Sequence, residues 1–97
     1  MELGELTVET FEPIVGDAFG VEAGPGAELV LVLEVAEAVG DRPGGRQPFR
    51  LQFSGPHDPL LPQAIHPLRH ADLGALEIFI VAIGQGDEHT TYEAIFT

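Results

Sequence analysis

Apolar and polar residues alternate along most of the chain, which is the pattern of β-strands that have one face in a core and one in water. Phe49, Leu51 and Phe53, for example, are separated by Arg50 and Gln52. Segments of this kind, bounded by glycine- and proline-rich turns, predict six strands at about residues 17–23, 27–39, 48–54, 64–70, 75–84 and 91–97. The connections are too short to contain crossover helices, so neighbouring strands are expected to pair antiparallel.

Residues 8–15 are the helical candidate. Thr7 can cap this helix and Gly16 can end it, and Phe11, Ile14 and Val15 would then lie on one side, enough to plug one opening of a barrel or cover a sheet edge. The sequence therefore predicts a single all-β domain over residues 1–97 with one short N-terminal helix. Its strands, at about 17–97, are expected to form a six-stranded antiparallel meander that makes a small barrel or a two-layer sandwich.

Two of the predicted strands are apolar on both faces. Alternate residues of a strand point to opposite sides, and here both sides are apolar. In the strand at 75–84, one side carries Ile78 and Ile80 and the other carries Phe79, Val81 and Ile83. In the strand at 27–39, one side carries Leu29, Leu31 and Leu33 and the other carries Val30 and Val32. A domain of this length has one core, so one face of each strand needs another cover.

Several parts of the chain, or a partner, could cover the second apolar face. The helix and the long loops can lie over it, or it can form an exposed patch that docks against a second copy or another protein, because monomers seldom leave large apolar patches bare. An open strand edge, at 92–97 or 64–70, is a related interaction site. An oligomer or an obligate partner is favoured over a free monomer, and the interaction candidates are Ile78, Phe79, Ile80, Val81, Ile83, Val30, Val32 and Phe11.

The charge balance restricts the partners. Sixteen acidic residues face four arginines and no lysine, for a formal net charge of −12, so nucleic acid and anionic membrane surfaces are expected to be repelled. The chain contains no cysteine, its first residues are acidic where a signal peptide is basic, and it has no apolar run of membrane-spanning length. We therefore expect a cytoplasmic protein that leaves the cell, if at all, as part of an assembly.

The candidate chemistry is sparse. His66 and His70 share a strand face but stand about 13 Å apart at strand rise, too far for one metal ion, and the histidines are expected to be solvated surface residues. Ser54, His57 and Asp58 are the members of a triad, but three neighbours in a loop rarely converge into one. The sequence predicts no catalytic residue, metal ligand or cofactor-binding residue, and no enzyme.

The arginines have local roles in this interpretation. The segment 42–46, with two arginines around two glycines, resembles an anion cradle but lacks the lysine and the following helix of a phosphate loop. Arg50 and Arg69 lie in the middle of predicted strands, where they are expected to meet Glu77 or Glu93 across the sheet.

Several segments resemble an uncharacterised family of short bacterial all-β proteins. They are residues 11–16, 42–49, 61–63, 68–81 and 92–96, and the Pro-Gly-Gly-Arg-Gln-Pro-Phe stretch within 42–49 is the most specific. Members of that family are often encoded beside proteins like phage tail-collar or tail-fibre subunits. The resemblance implies a role in such an assembly, and it supplies no site residue because none is known for the family.

The function expected from the sequence is a non-enzymatic structural or interaction module of a phage-tail-like or fibre-like assembly. It would bind itself or a partner protein through an apolar sheet face or edge. The alternative is a small β-barrel that binds an apolar small ligand. The limited room inside a barrel of six short strands counts against this alternative.

Overall fold

The six strands expected from the alternation are present in the structure, a computed structural model that describes residues 6–40 and 47–96. A helix, α1 (Val8–Phe11), continues into a single 3-10 turn (Glu12–Ile14). The strands are β1 (Ala18–Gly24), β2 (Ala27–Ala38), β3 (Phe49–Gly55), β4 (Ala64–His70), β5 (Gly74–Gln85) and β6 (Thr90–Phe96). The possible anion cradle at 42–46 lies outside the described residues.

The strands close into one antiparallel barrel in the order β1-β2-β3-β6-β5-β4. This confirms the small barrel and decides against the two-layer sandwich. The prediction of a simple meander is wrong for one connection, because β3 lies beside β6 and not beside β4. Residues 56–63, which connect β3 to β4, therefore cross one end of the barrel. The prediction of an open edge at 64–70 or 92–97 is also wrong, since β4 lies between β5 and β1, and β6 lies between β3 and β5.

The two 12-residue strands, β2 and β5, form the corners of the barrel. The first half of β2 pairs with β1 and the second half with β3, while β5 pairs first with β4 and then with β6. Each strand carries a register shift where it changes partner, between Leu33 and Val35 in β2 and between Ala82 and Gly84 in β5. A bulge of this kind adds one residue and bends the strand, which lets a small sheet close on itself.

The inner face of the barrel is filled by side chains. Alternate residues of each strand are buried in one cluster, which includes Phe19, Val21, Leu29, Leu31, Leu33, Phe49, Leu51, Phe53, Leu68, Leu76, Ile78, Ile80, Tyr92 and Ala94. Gly55 continues the inward series of β3, and its missing side chain leaves the space that Leu31 occupies. A core filled to this extent supplies the hydrophobic stabilisation of the domain.

The N-terminal segment covers the end of the barrel at which β3 begins and β6 ends. The ring of Phe11 lies 5.9 Å from that of Phe49 and 6.0 Å from that of Phe96, and the latter two rings stack at 4.5 Å. The predicted plug is thus present, although α1 and its 3-10 turn end at Ile14. Gly16 follows with a φ of 100°, as expected of a residue that ends a helix, and its amide donates to the Leu33 carbonyl at 2.7 Å.

Candidate functional site

The two faces of β5 lie in different environments. Ile78 and Ile80 point into the barrel and are 2% and 0% exposed, whereas Phe79 and Ile83 point outward and are 49% and 48% exposed. Phe11 is fully buried where α1 packs on the end of the barrel, against Phe49 and Phe96. These placements correct three of the sequence-based interaction candidates, because Phe11, Ile78 and Ile80 belong to the core and their side chains cannot reach a partner.

Apolar side chains continue from β5 across the outer faces of β4 and β6. Ile65 lies directly opposite Phe79 in the β4–β5 register and is 64% exposed. Val81 is half-buried and lies opposite Glu93 of β6, and Ile95, two residues further along the same outer face of β6, is 53% exposed. Directly paired residues such as Ile65 and Phe79 stand about 4.5–5.5 Å apart at their Cβ atoms, whereas Ile95 lies opposite Arg50 of β3. We refer to Ile65, Phe79, Val81, Ile83 and Ile95 as the apolar row.

Two members of the apolar row were missed at the level of sequence. In β4, the buried residues Leu68 and His70 set the inward positions, so Ile65 has to point outward. In β6, Tyr92 and Ala94 are the inward residues, and Ile95 shares the opposite face with Glu93. Period-two alternation carried through both strands would therefore have found Ile65 and Ile95.

The outer residues of β2 lie apart from this row. Val30 is exposed opposite Gly20 of β1, and Val32 is half-buried between Ala18 and Ser54. Arg69 occupies the position on the other side of Gly20, on β4. A charged side chain thus separates Val30 from the apolar row.

An ion pair crosses the junction at which the barrel closes. Arg69 pairs with Glu28 of β2, and the carboxylate lies over Gly20 on the intervening strand. A Cβ at Gly20 would stand 2.5 Å from the Glu28 Oε1 atom, so glycine allows this contact across β1. The expected partners of Arg69, Glu77 and Glu93, are therefore wrong.

A second polar cluster covers the outer faces of β2, β3 and β6. Arg50 pairs with Glu37 and stands 3.6 Å from Glu93, as expected for one of its two predicted partners. The Gln52 side-chain amide donates to Glu93 at 3.2 Å. Two carboxylates share one guanidinium here, so the cluster keeps a net negative charge.

His70 is a structural residue, and its expected position on the solvated surface is wrong. Its side chain is 2% exposed, and its Nδ1 atom accepts the backbone amides of Asp72 at 3.0 Å and Leu73 at 3.3 Å. Since Nδ1 is an acceptor, the neutral ring carries its proton on Nε2, which lies 2.8 Å from the Asp17 carboxylate. The ring therefore holds the β4–β5 turn and joins it to the start of β1.

Other polar side chains also hold loops. The Nε2 atom of His66 lies 2.8 Å from the Pro62 carbonyl, and the Tyr92 hydroxyl accepts the Leu61 amide at 3.0 Å. His57 Nδ1 lies 3.0 Å from the Thr90 hydroxyl. Within residues 6–40 and 47–96, no three histidine, cysteine, aspartate or glutamate side chains form a group that could hold a metal ion.

These features define a small closed antiparallel β-barrel with a filled interior and an exposed apolar row on its outer face. A model of the family described as "Domain of unknown function (DUF6916)" matches residues 6–96, and the chain belongs to that family. No curated protein and no solved structure matches the chain significantly. In the part of the chain that the structure describes, no helix has the length and apolar character needed to cross a membrane.

Proposed function

We propose that this barrel is a non-enzymatic interaction module that binds another protein surface through the apolar row. The observation that carries the proposal is the pair Ile65 and Phe79, which face each other across β4 and β5 on the outside of the barrel and remain 64% and 49% exposed. Clustered aliphatic and aromatic side chains of this kind typically mark interaction sites in small domains.

The interior supports binding on the outside over binding within. Each strand directs its alternate residues into one buried cluster, and large residues such as Phe19, Phe53 and Tyr92 are fully buried there. A ligand barrel needs inner positions that leave a cavity, whereas a six-stranded barrel closes around its own side chains. The proposal of an apolar small ligand therefore has no supporting observation in the described residues.

The polar residues support a non-enzymatic function. His70, His66 and Tyr92 use their polar atoms to hold backbone groups of adjacent loops. Such contacts explain their positions through stability alone, because each satisfies a backbone donor or acceptor.

The setting that we propose is a phage-tail-like or fibre-like assembly. This part rests on the resemblance of the sequence motifs to proteins often encoded beside tail-collar or tail-fibre-like subunits. The module would be made in the cytoplasm and leave the cell only as part of that assembly. The acidic composition supports a protein partner over nucleic acid or a membrane.

A pair of adjacent substitutions in β5 separates binding from folding. Ile80→Asp places a carboxylate in the core and is expected to cost more than about 4 kcal/mol, a large fraction of the about 5–15 kcal/mol that stabilises a domain of this size. Phe79→Asp stays on the outer face, where the lower strand propensity of aspartate costs about 1 kcal/mol. Circular dichroism shows whether each variant is folded, and urea denaturation measures the free energy of unfolding of each folded variant.

Photo-crosslinking then tests the binding itself. A photoreactive residue at position 79, in cells of the organism that makes the chain, should form a discrete protein adduct, whereas the same residue at Val30 should not. Val30 is a matched control because it is also an exposed apolar strand residue, on a part of the surface separated from the row by Arg69. Equal adducts at both positions, or none at either, would refute the proposal, as would an unfolded Phe79→Asp variant.

A further inference from the structure

The apolar row has an acidic border. Glu77 is exposed on the outer face of β5 two residues before Phe79, and Asp87 and Glu88 are exposed in the turn that follows the strand. Glu93 lies opposite Val81 on β6. We refer to Glu77, Asp87, Glu88 and Glu93 as the acidic border. Carboxylates therefore lie at both ends of the row and along one side.

The cations near this surface are already engaged. The described residues include two arginines: Arg69 pairs with Glu28, and Arg50 lies between Glu37 and Glu93. Among these residues no arginine comes within ion-pair distance of Glu77, Asp87 or Glu88. Glu77, Asp87 and Glu88 therefore keep their negative charge, while Glu93 shares one guanidinium with Glu37.

A second copy of the chain fits this surface poorly. In a symmetric contact each copy presents the same patch, so Glu77, Asp87 and Glu88 of one copy would meet the acidic border of the other, and no described arginine pairs with these three. Like charges placed opposite one another disfavour association. The formal net charge of −12 on each chain adds a repulsion that acts before contact.

We propose, as an extension of the proposed function, that the apolar row binds a basic partner protein. The contact surface of this partner has an aliphatic or aromatic centre for the row and lysine or arginine at its rim for the acidic border. The row supplies the buried centre of the contact, and the acidic border selects the partner and accelerates encounter. The five side chains of the row, of which four are about half or more exposed, offer a patch of roughly 300–600 Å². That area suits a modest affinity that depends on salt.

The experiment begins with the oligomeric state of the chain alone. Light scattering after size exclusion should give the 10.4 kDa monomer at physiological salt. A particle of twice this mass that Phe79→Ser returns to a monomer would overturn the inference in favour of a second copy, while the proposed function would stand.

Two matched peptides then probe the partner chemistry. Both are amphipathic helices with the same leucine face; one has lysine at every flanking position and the other has glutamate. The lysine peptide should bind, and Phe79→Ser should weaken it at least about tenfold, while Val30→Ser leaves it unchanged. Glu77→Lys should weaken the lysine peptide and strengthen the glutamate peptide. Raising the salt concentration from about 0.05 M to 0.5 M should weaken lysine-peptide binding to the wild-type chain.

The opposite results separate the two proposals. Equal binding of both peptides that still depends on Phe79 would overturn the basic partner and leave the apolar row as an interaction site. If the lysine peptide binds Phe79→Ser as tightly as it binds the wild-type chain, its binding depends on net charge and not on the apolar row. That result would overturn both proposals. Failure of both peptides to bind, with a monomeric chain, would overturn the basic partner, and the crosslinking experiment would then decide the proposed function alone.

Discussion

Tyr92→Phe tests whether the loop that crosses the barrel is held by one buried hydrogen bond. Tyr92 is fully buried, and its hydroxyl accepts the amide of Leu61 at 3.0 Å. Leu61 is 2% exposed, so water cannot easily replace the lost acceptor. Removing the hydroxyl thus leaves a buried donor unsatisfied, which costs about 1–3 kcal/mol in the free energy of unfolding.

That magnitude is large for a domain of this size. With a total stability of about 5–15 kcal/mol, a loss of about 2 kcal/mol lowers the melting temperature by roughly 8–16 °C. In urea, where the slope for a small domain is about 1–3 kcal/mol per molar, the midpoint should fall by about 0.7–2 M. Tyr92 is the single tyrosine and the chain has no tryptophan, so circular dichroism has to replace intrinsic fluorescence as the probe.

Thr91→Val is the matched control for this substitution. It removes a hydroxyl from the adjacent, half-buried position of β6, where the side chain points to the outer face. Its effect is expected within about 0.5 kcal/mol. Hydrogen exchange adds a local readout, because the Leu61 amide should lose protection in Tyr92→Phe and keep it in Thr91→Val. An equilibrium cost below about 0.5 kcal/mol for Tyr92→Phe, with unchanged protection of Leu61, would refute the reasoning.

Two further substitutions test the packing of the barrel and of its turn. Gly55→Ala should destabilise the domain by about 1–3 kcal/mol, because the new Cβ overlaps the Leu31 side chain, and adding Leu31→Val should cost less than the sum of the two single changes. His70→Leu removes the acceptor of the Asp72 and Leu73 amides, whereas the Oδ1 atom of His70→Asn can accept them, so asparagine should be better tolerated by about 1–2 kcal/mol. Urea denaturation measures each value; additive costs in the first case, or equal costs in the second, would contradict the geometry.

The strands could be predicted from the sequence because each carries its own signal. The alternation of β3 places Phe49, Leu51 and Phe53 inward, and all three are fully buried. Glycine and proline then mark where strands end, so the expected strand at 27–39 corresponds to β2 (Ala27–Ala38). Information of this kind is local, and the strand bounds depend on little else.

The neighbours of each strand could not be predicted in the same way. Alternation states which residues share a face, but it does not state which strand lies beside that face. The position of β6 between β3 and β5 depends on contacts between distant parts of the chain, such as the pairing of Phe53 with Tyr92. The burial of Leu61 in a proline-rich loop follows from the same crossing and has no local signal.

The register shifts change which residues of the long strands point inward, but they do not account for the apolar residues on both faces, since Val30, Val32 and Phe79 all precede them. In β2, Leu33 points inward before the shift, and Ala36 packs against the core after it, so the inward positions change from odd to even numbers. In β5, Ile80 and Ala82 face the core before the shift, and Gln85 lies opposite the buried Thr90 after it. A strict period of two misplaces every residue beyond such a bulge. Phe79 precedes the shift, so its exposure is a property of the outer face itself.

The acidic composition and the apolar row acquire a common explanation if the row binds a basic partner. The core is complete without the outer residues, so Ile65 and Phe79 can remain exposed at little cost to folding. An exposed apolar surface does favour association between copies, and a net charge of −12 opposes that association through repulsion. The same negative charge attracts a cationic surface. It would therefore disfavour binding of the apolar row to a second copy of the chain and favour its binding to a basic protein. If the negative charge served solubility alone, it would not select a partner. Glu77→Lys would then leave the relative affinities for the lysine and glutamate peptides unchanged.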